Sequence, residues 1–309
     1  VNFPPLIVIV GATAVGKTGT AIQLAQAFNG EIIGADSRQV YRQMDIGTAK
    51  PTPEQRISVP HHLLDVVNAD NTLSLASYLD LAHVAIHDIH TRGKLPFLVG
   101  GTGQYITALI DGWSVPKVAP NLALRAELEA FAATHGAFEL GEKLRALDPA
   151  AYQTIDYRNV RRVIRALEVI DATGQPFSAQ QTKSPPPYHI IQIGLALGRD
   201  TLYERADRRV DAMIQAGFID EVRALLKAGY SPSLPSMSGL GYAELASHII
   251  DGAPLDVAIN AIYSATHNYI RRQETWFRKY NREATWLDMA TFDIAHVIAT
   301  LGQQIDFTK

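Results

Sequence analysis

The chain has 309 residues, 47% of them hydrophobic and 19% charged, with a net charge of −3. That supplies a sizeable core for one large or two smaller domains, and it excludes a wholly basic nucleic-acid coat protein while allowing a local basic groove. The absence of cysteine excludes disulfides, thiolate zinc sites and cysteine nucleophiles. No apolar run approaches the ~20 residues of a spanning helix and no signal peptide is visible, so a cytoplasmic protein with no membrane association is expected.

The first predicted strand, residues 6–10, is short and apolar without strict alternation, as strands covered on both faces are. It runs into Gly11-Ala12-Thr13-Ala14-Val15-Gly16-Lys17-Thr18, which fits G-x-x-x-x-G-K-(S/T). Glycines at the two ends let backbone amides approach an anion, Lys17 adds a point charge, and the Thr18 hydroxyl suits a magnesium ion. A helix over 18–28 follows, with Ala21, Leu24, Ala25 and Phe28 on one face and Asn29-Gly30 as its stop. The loop therefore ends at a helix N-terminus, whose partial positive charge favours phosphate.

A second strand at 32–35 delivers Asp36 to the carboxyl edge of the sheet, where open α/β sheets bind ligands. Asp36, within GADSRQVYRQMDIGTAKP (34–51), has three readings. It caps a following helical stretch, organises magnesium, or accepts a proton from a substrate amine. PHHLLD (60–65) places paired histidines in a loop expected to be structural or switch-like. A long helix is expected over 72–92, where His83, His87 and His90 share helical spacing. That spacing suits a metal site, but without a nearby open-site carboxylate arrangement and far from the loop edge it reads as incidental. A third strand at 95–99 ends in a glycine-rich turn that brings Thr102 to the same edge.

After Trp113 the period changes: residues 121–174 are helical throughout, and TKSPPPY (182–188) is a stiff extended connector. An apolar strand returns at 189–197, and the remainder from 200 reads as helical. The pattern predicts a P-loop-type parallel sheet flanked by helices, residues 1–114 and 188–309, interrupted by a mostly helical insertion at 115–187. Two stretches are basic. In RNVRRVIR (158–165), Arg158, Arg161, Arg162 and Arg165 share a helix face that suits a phosphate backbone or is simply solvated. In RRQETWFRKYNR (271–282), cations alternate with Trp276, Phe277 and Tyr280, either to stack on bases or to fill a core.

GATAVGKT, DSRQVYRQMDIGTAKP, PHHLLD, GGTGQYI, RNVRRVIRALEV, GLGYAEL and residues 266–278 occur in one order over most of the chain. In these segments the chain resembles the bacterial-type tRNA dimethylallyltransferase (tRNA isopentenyltransferase) family. It departs from the family's pattern at Ala12, usually Pro, and Val15, usually small; neither change removes a phosphate-binding group. With no cysteine in the chain, the zinc-finger tail of eukaryotic relatives is not expected. The resemblance implies transfer of the dimethylallyl group of dimethylallyl diphosphate to the N6 amine of the adenine immediately 3′ of the anticodon, with Mg2+ as cofactor and the tRNA anticodon stem-loop as partner of a monomeric enzyme.

It also implies roles for particular residues. Gly11 through Thr18 hold the diphosphate, with Thr18 on the metal. Asp36 orients and deprotonates the amine, assisted by Thr13, and Arg205 joins the diphosphate. Asp36, Ser37, Arg38, Gln39, Thr102, Gly239, Leu240, Gly241 and Tyr242 face the bound nucleotide. Arg158, Asn159, Arg161 and Arg162 face the tRNA backbone. Three rivals stand beside this reading: an adenylate isopentenyltransferase acting on free AMP, ADP or ATP, a small-molecule kinase or nucleotide hydrolase, and a nucleotide-gated binding protein without catalysis.

Overall fold

Leu6, Ile7, Val8, Ile9 and Val10 are all fully buried, which only a central strand covered on both faces achieves. They form strand β1 (Pro5–Gly11) of a computed structural model that describes residues 3–306. Strands β2 (Gly30–Gly34), β3 (His61–His62), β4 (Leu95–Val99), β5 (His189–Ala196) and β6 (Thr285–Asp288) complete one sheet in the order β3-β2-β4-β1-β5-β6. Every pairing is parallel. The expected P-loop-type parallel sheet is present, with β3 and β6 as additions. β3 has two residues, too few to show a period, and β6 is mostly exposed at the sheet edge, so neither produces an apolar run.

The crossovers are helices: α1 (Lys17–Ala27), α2 (Pro53–Ser58), α3 (Leu75–Thr91) and α4 (Gly103–Ile110). The chain divides into two compact units, one up to Ile110 and from Pro187 onward, the other Asp111–Pro186. In the second unit α5 (Leu122–His135), α6 (Ala137–Leu147), α7 (Pro149–Thr154) and α8 (Val160–Thr173) enclose a core that includes Leu140, Leu144 and Val163. The first unit resumes with α9 (Arg199–Gln215), α10 (Phe218–Lys227), α11 (Tyr242–Asp251), α12 (Leu255–Tyr280) and α13 (Ile294–Asp306).

Packing corrects the four-arginine face. Arg158 precedes α8 and pairs with Asp156 at 2.7 Å. Asn159 caps the helix, its Oδ1 accepting from Arg162 N at 3.2 Å. Arg165 turns inward to the buried Glu168 and donates to the carbonyls of Pro116 and Val118. A carboxylate buried in a helical core requires cationic partners, and Glu168 recruits both Arg125 and Arg165. Arg161 and Arg162 remain as the exposed pair. Among the described residues, no helix is long and apolar enough to cross a membrane.

Candidate active site

β1 ends in the phosphate-binding loop, whose backbone turns through left-handed conformations at Ala14 (φ 65°) and Gly16 (φ 110°). Gly16 is the N-cap of α1 and adopts this angle without side-chain strain. Alternating handedness of this kind turns successive amides toward one point, and the free amides of the first helical turn join them. Ala12 and Val15 point the other way, buried in the core beneath the loop with Leu195. The two departures from the family's pattern are thus packing residues. Lys17 lies back over the loop, its Nζ donating to Ala12 O at 2.8 Å. Burial and the nearby Arg209 guanidinium push its pKa down to about 8, with Asp36 opposing them.

The loop is held from α12. Gln273 Oε1 accepts the Thr13 amide at 2.8 Å, and its Nε2 donates to Gly101 O at 2.8 Å. Gly101 leaves room for this contact: a Cβ there would come within 2.5 Å of Gln273 Nε2 and displace the amide. The same helix buries Phe277 and directs Trp276 Nε1 to Thr107 Oγ1 at 3.0 Å. Of the aromatic side chains expected either to stack on bases or to fill a core, Phe277 and Trp276 serve packing. Tyr280 stays exposed, tilted against Trp276.

Asp36 stands at the carboxyl end of β2. Its Oδ1 accepts from Arg38 N at 2.8 Å and more weakly from Gln39 N at 3.4 Å, so it organises the turn that carries it; no helix follows before α2, so Asp36 is not the helix cap of the first reading. Oδ2 has no hydrogen bond among the described residues. Thr102 Oγ1 accepts from Ser37 N at 2.9 Å and donates to Ser37 Oγ at 3.3 Å; it positions the turn rather than lining the cavity. Gln39 Nε2 donates to the carbonyls of Thr48 and Ala49, and Arg38 reaches Pro235 O and Ser238 Oγ.

Two further charged groups fix the segment after Asp36. The buried Lys50 ammonium meets Asp45 and Asp65, each at 2.6 Å, and the Tyr41 carbonyl. Glu221 on α10 accepts from Asp45 N, Ile46 N and Gly47 N at 2.8, 2.7 and 3.1 Å, and from Tyr242 Oη at 2.6 Å. PHHLLD is structural: His62 Nε2 lies 2.7 Å from the buried Glu31, and Asp65 serves Lys50 and Arg56.

These elements enclose a cavity of about 640 Å³ at the carboxyl edge of the sheet. It brings together Thr13, Ala14, Gly16, Lys17 and Thr18 with Asp36 through Gln39, and Gly239, Leu240 and Tyr242 from the far side. Gly11, Ala12 and Val15 line a separate crevice behind the loop, and Gly241 is the N-cap of α11. Arg205 is exposed at the cavity wall. Arg209, one turn further along α9, is half-buried in the same wall, and its pKa is lowered by burial while Asp36 opposes the shift. Sequence reasoning missed Arg209; its spacing of four from Arg205 was the available signal. His83 lies 3.0 Å from Tyr188 Oη, His90 donates to Pro5 O, and His87 is exposed. Among the described residues no group of three His, Asp or Glu side chains forms a metal cage.

The cavity thus brings cations and free amides together with a carboxylate, an arrangement that stabilises an anionic leaving group while orienting a nucleophile. A family model described as "IPP transferase" matches residues 39–280, and one described as "Isopentenyl transferase" matches residues 4–66. The chain is 54% identical over 300 residues to a tRNA dimethylallyltransferase of Roseiflexus sp., covering 97% of this chain and 98% of that one. It is 50% identical to the Chloroflexus aurantiacus protein of the same name, covering 91% and 95%. Among solved structures, the tRNA isopentenylpyrophosphate transferase of Bacillus halodurans superimposes with a TM-score of 0.73 at 41% identity, covering 98% and 97% of the two chains. A eukaryotic dimethylallyltransferase described as acting on tRNA gives 0.78 at 28% identity, covering 93% and 74%.

Proposed function

The chain belongs to the IPP transferase family of tRNA dimethylallyltransferases, and from that premise we propose how its cavity performs the transfer. The enzyme is a prenyltransferase that moves the dimethylallyl group from dimethylallyl diphosphate to tRNA. The acceptor is the N6 amine of the adenine immediately 3′ of the anticodon. A monomer working in the cytoplasm on the anticodon stem-loop is the form we expect.

The observation that carries this reading is that Lys17 of the phosphate-binding loop and Asp36 at the end of β2 line one cavity. The free amides of the loop and first helical turn, Lys17 and Arg209 hold the diphosphate and stabilise its charge as the allylic C–O bond breaks. The allylic cation is delocalised, so departure of the diphosphate needs little push from the nucleophile. The adenine N6 lone pair bonds to the freed carbon, and Asp36 Oδ2 takes the proton that nitrogen loses. Thr13 and Arg205 assist at the loop and the cavity wall.

Magnesium fits these residues as an ion held mainly by donor phosphate oxygens and water. Thr18 presents a single hydroxyl beside Lys17, with no all-protein cage among the described residues. When bound, the ion neutralises charge on the leaving diphosphate. The base is reached by splaying it out of the anticodon loop, which costs least in single-stranded RNA. Arg161 and Arg162 on α8 supply backbone contacts.

Incubation with radiolabelled dimethylallyl diphosphate and unmodified tRNA, AMP or no acceptor tests the reading. Label is expected in tRNA alone; label in AMP but not tRNA would sink it in favour of an adenylate isopentenyltransferase.

A further inference from the structure

We propose that Met213 on α9 limits the length of prenyl chain the enzyme accepts, by closing the cavity against an outer groove. The proposal rests on the reading of the donor as dimethylallyl diphosphate, with its diphosphate at Lys17 and Arg209. A diphosphate placed there ties the hydrocarbon to the stretch of cavity wall beside Arg209.

α9 changes character along the face it turns to the cavity. Arg205 and Arg209 sit one turn apart, and Val210 and Met213 follow them on the same wall. Met213 lies one further turn beyond Arg209, about 6 Å along the helix axis. Val210, Phe218 and Ile262 share one core cluster, against which Met213 packs, and all four line the cavity. A hydrocarbon leaves water only by covering apolar surface, and this patch adjoins the cation that holds the diphosphate.

The far side of the patch cannot yield. A Cβ on Gly47 would come within 2.2 Å of the Phe218 ring, and one on Gly241 within 2.5 Å, so backbone closes on that ring from two segments. Phe218 is 1% exposed and meets the Tyr242 ring edge-on, with centroids 4.9 Å apart. Met213 is different. It is half-buried, unbranched and adaptable, and it borders both the catalytic cavity and an outer groove that runs along Ile46, Pro51, Pro53 and Ala212. Arg209 also borders both spaces. The Met213 side chain therefore stands where a chain longer than dimethylallyl would leave the cavity for the groove.

The test sets dimethylallyl diphosphate against geranyl diphosphate in wild type, Met213→Ala, and Met213→Ala combined with Ala212→Trp. Transfer to unmodified tRNA is read from the mass of the modified nucleoside, and binding from calorimetry with the inert thiolodiphosphate of each chain. Thermal melts check folding, and Met213→Val carries the same comparison if Met213→Ala does not fold. Geranyl transfer makes the same bond changes: the allylic C–O bond breaks, its electron pair leaves with the diphosphate, and adenine N6 bonds to the freed carbon and gives up its proton. In Met213→Ala the geranyl-to-dimethylallyl ratio, in kcat/KM and in affinity, should rise about tenfold or more, the scale on which apolar pockets resolve hydrocarbon size. Adding Ala212→Trp, which fills the groove, should reverse most of that gain. A ratio unmoved by Met213→Ala, or a rise that Ala212→Trp leaves intact, would overturn the proposal. So would a weaker affinity for tRNA with the ratio unmoved, which would place Met213 against the acceptor. If wild type binds the dimethylallyl analogue but transfers nothing to tRNA, the acceptor reading falls and the affinity ratio alone decides. If it binds neither analogue, the donor reading falls and takes the proposal with it.

Discussion

Glu221 accepts the Ile46 amide at 2.7 Å, with the amides of Asp45 and Gly47 on the same carboxylate at 2.8 and 3.1 Å. One side chain of α10 thereby closes the segment that begins at Asp36, and its contact with Tyr242 ties that segment to the opposite wall of the cavity. Glu221→Ala leaves three amides without their acceptor. Stability should fall by about 2 kcal/mol in denaturant titrations. The KM for tRNA should rise while the KM for the prenyl donor, held by a different loop, stays within about twofold of wild type. Equal shifts in both constants would assign Glu221 to global stability only.

Asp36→Asn preserves the acceptor that Arg38 N and Gln39 N require but cannot take a proton. Turnover in single-turnover label transfer should drop about 10²- to 10⁴-fold, with tRNA binding by filter assay nearly unchanged. Retained turnover would remove Asp36 from the role of base.

Lys17 has its pKa lowered to about 8. Below that value the side chain is cationic and attracts the diphosphate; above it the charge is lost. The kcat/KM for the donor, which reports ionisation in the free enzyme, should therefore be level below about pH 8 and decline above it. In Lys17→Arg, whose guanidinium does not deprotonate, that decline should disappear from whatever activity remains. A wild-type profile flat through pH 10 would contradict the assignment.

Arg161 and Arg162 are the exposed cations of α8. Replacing both with alanine should weaken tRNA binding and lower the slope of log K against log salt by about 1.5, the loss of roughly two phosphate contacts. An unchanged slope would return the pair to a solvated face. Arg165→Ala should behave differently, costing stability by unpairing the buried Glu168.

Chelation of divalent ions should stop transfer, and Thr18→Val should raise the magnesium concentration needed for half-maximal rate by several-fold. A magnesium dependence identical to wild type in Thr18→Val would leave the ion wholly on donor oxygens and water.

Much of the site could be read from the chain because its parts are local. The loop from Gly11 to Thr18 announces itself by glycine spacing between a strand and a helix, and Asp36 by its place at a strand's end. The central strands were visible because burial on both faces demands unbroken apolar runs, whereas β6, mostly exposed at an edge, carries no such run. The basic clusters misled in part. Spacing assigns residues to a helix face, but it does not say whether that face meets solvent or a buried acid such as Glu168.

α12 marks the boundary between what sequence and tertiary structure determine. Its buried positions, Ala258, Ile262, Thr266, Ile270, Gln273 and Phe277, form one stripe at intervals of three and four. The sequence by itself determined the helical character of this region, the phosphate loop and the apolar runs of the central strands, since each depends on residues close together in the chain. Only the tertiary structure decided that the polar member of the stripe, Gln273, meets the Thr13 amide 260 positions earlier, and that Glu221 closes the loop after Asp36. Local periodicity fixes which face of a helix is buried, but the partner waiting for that face is fixed by packing across the sheet.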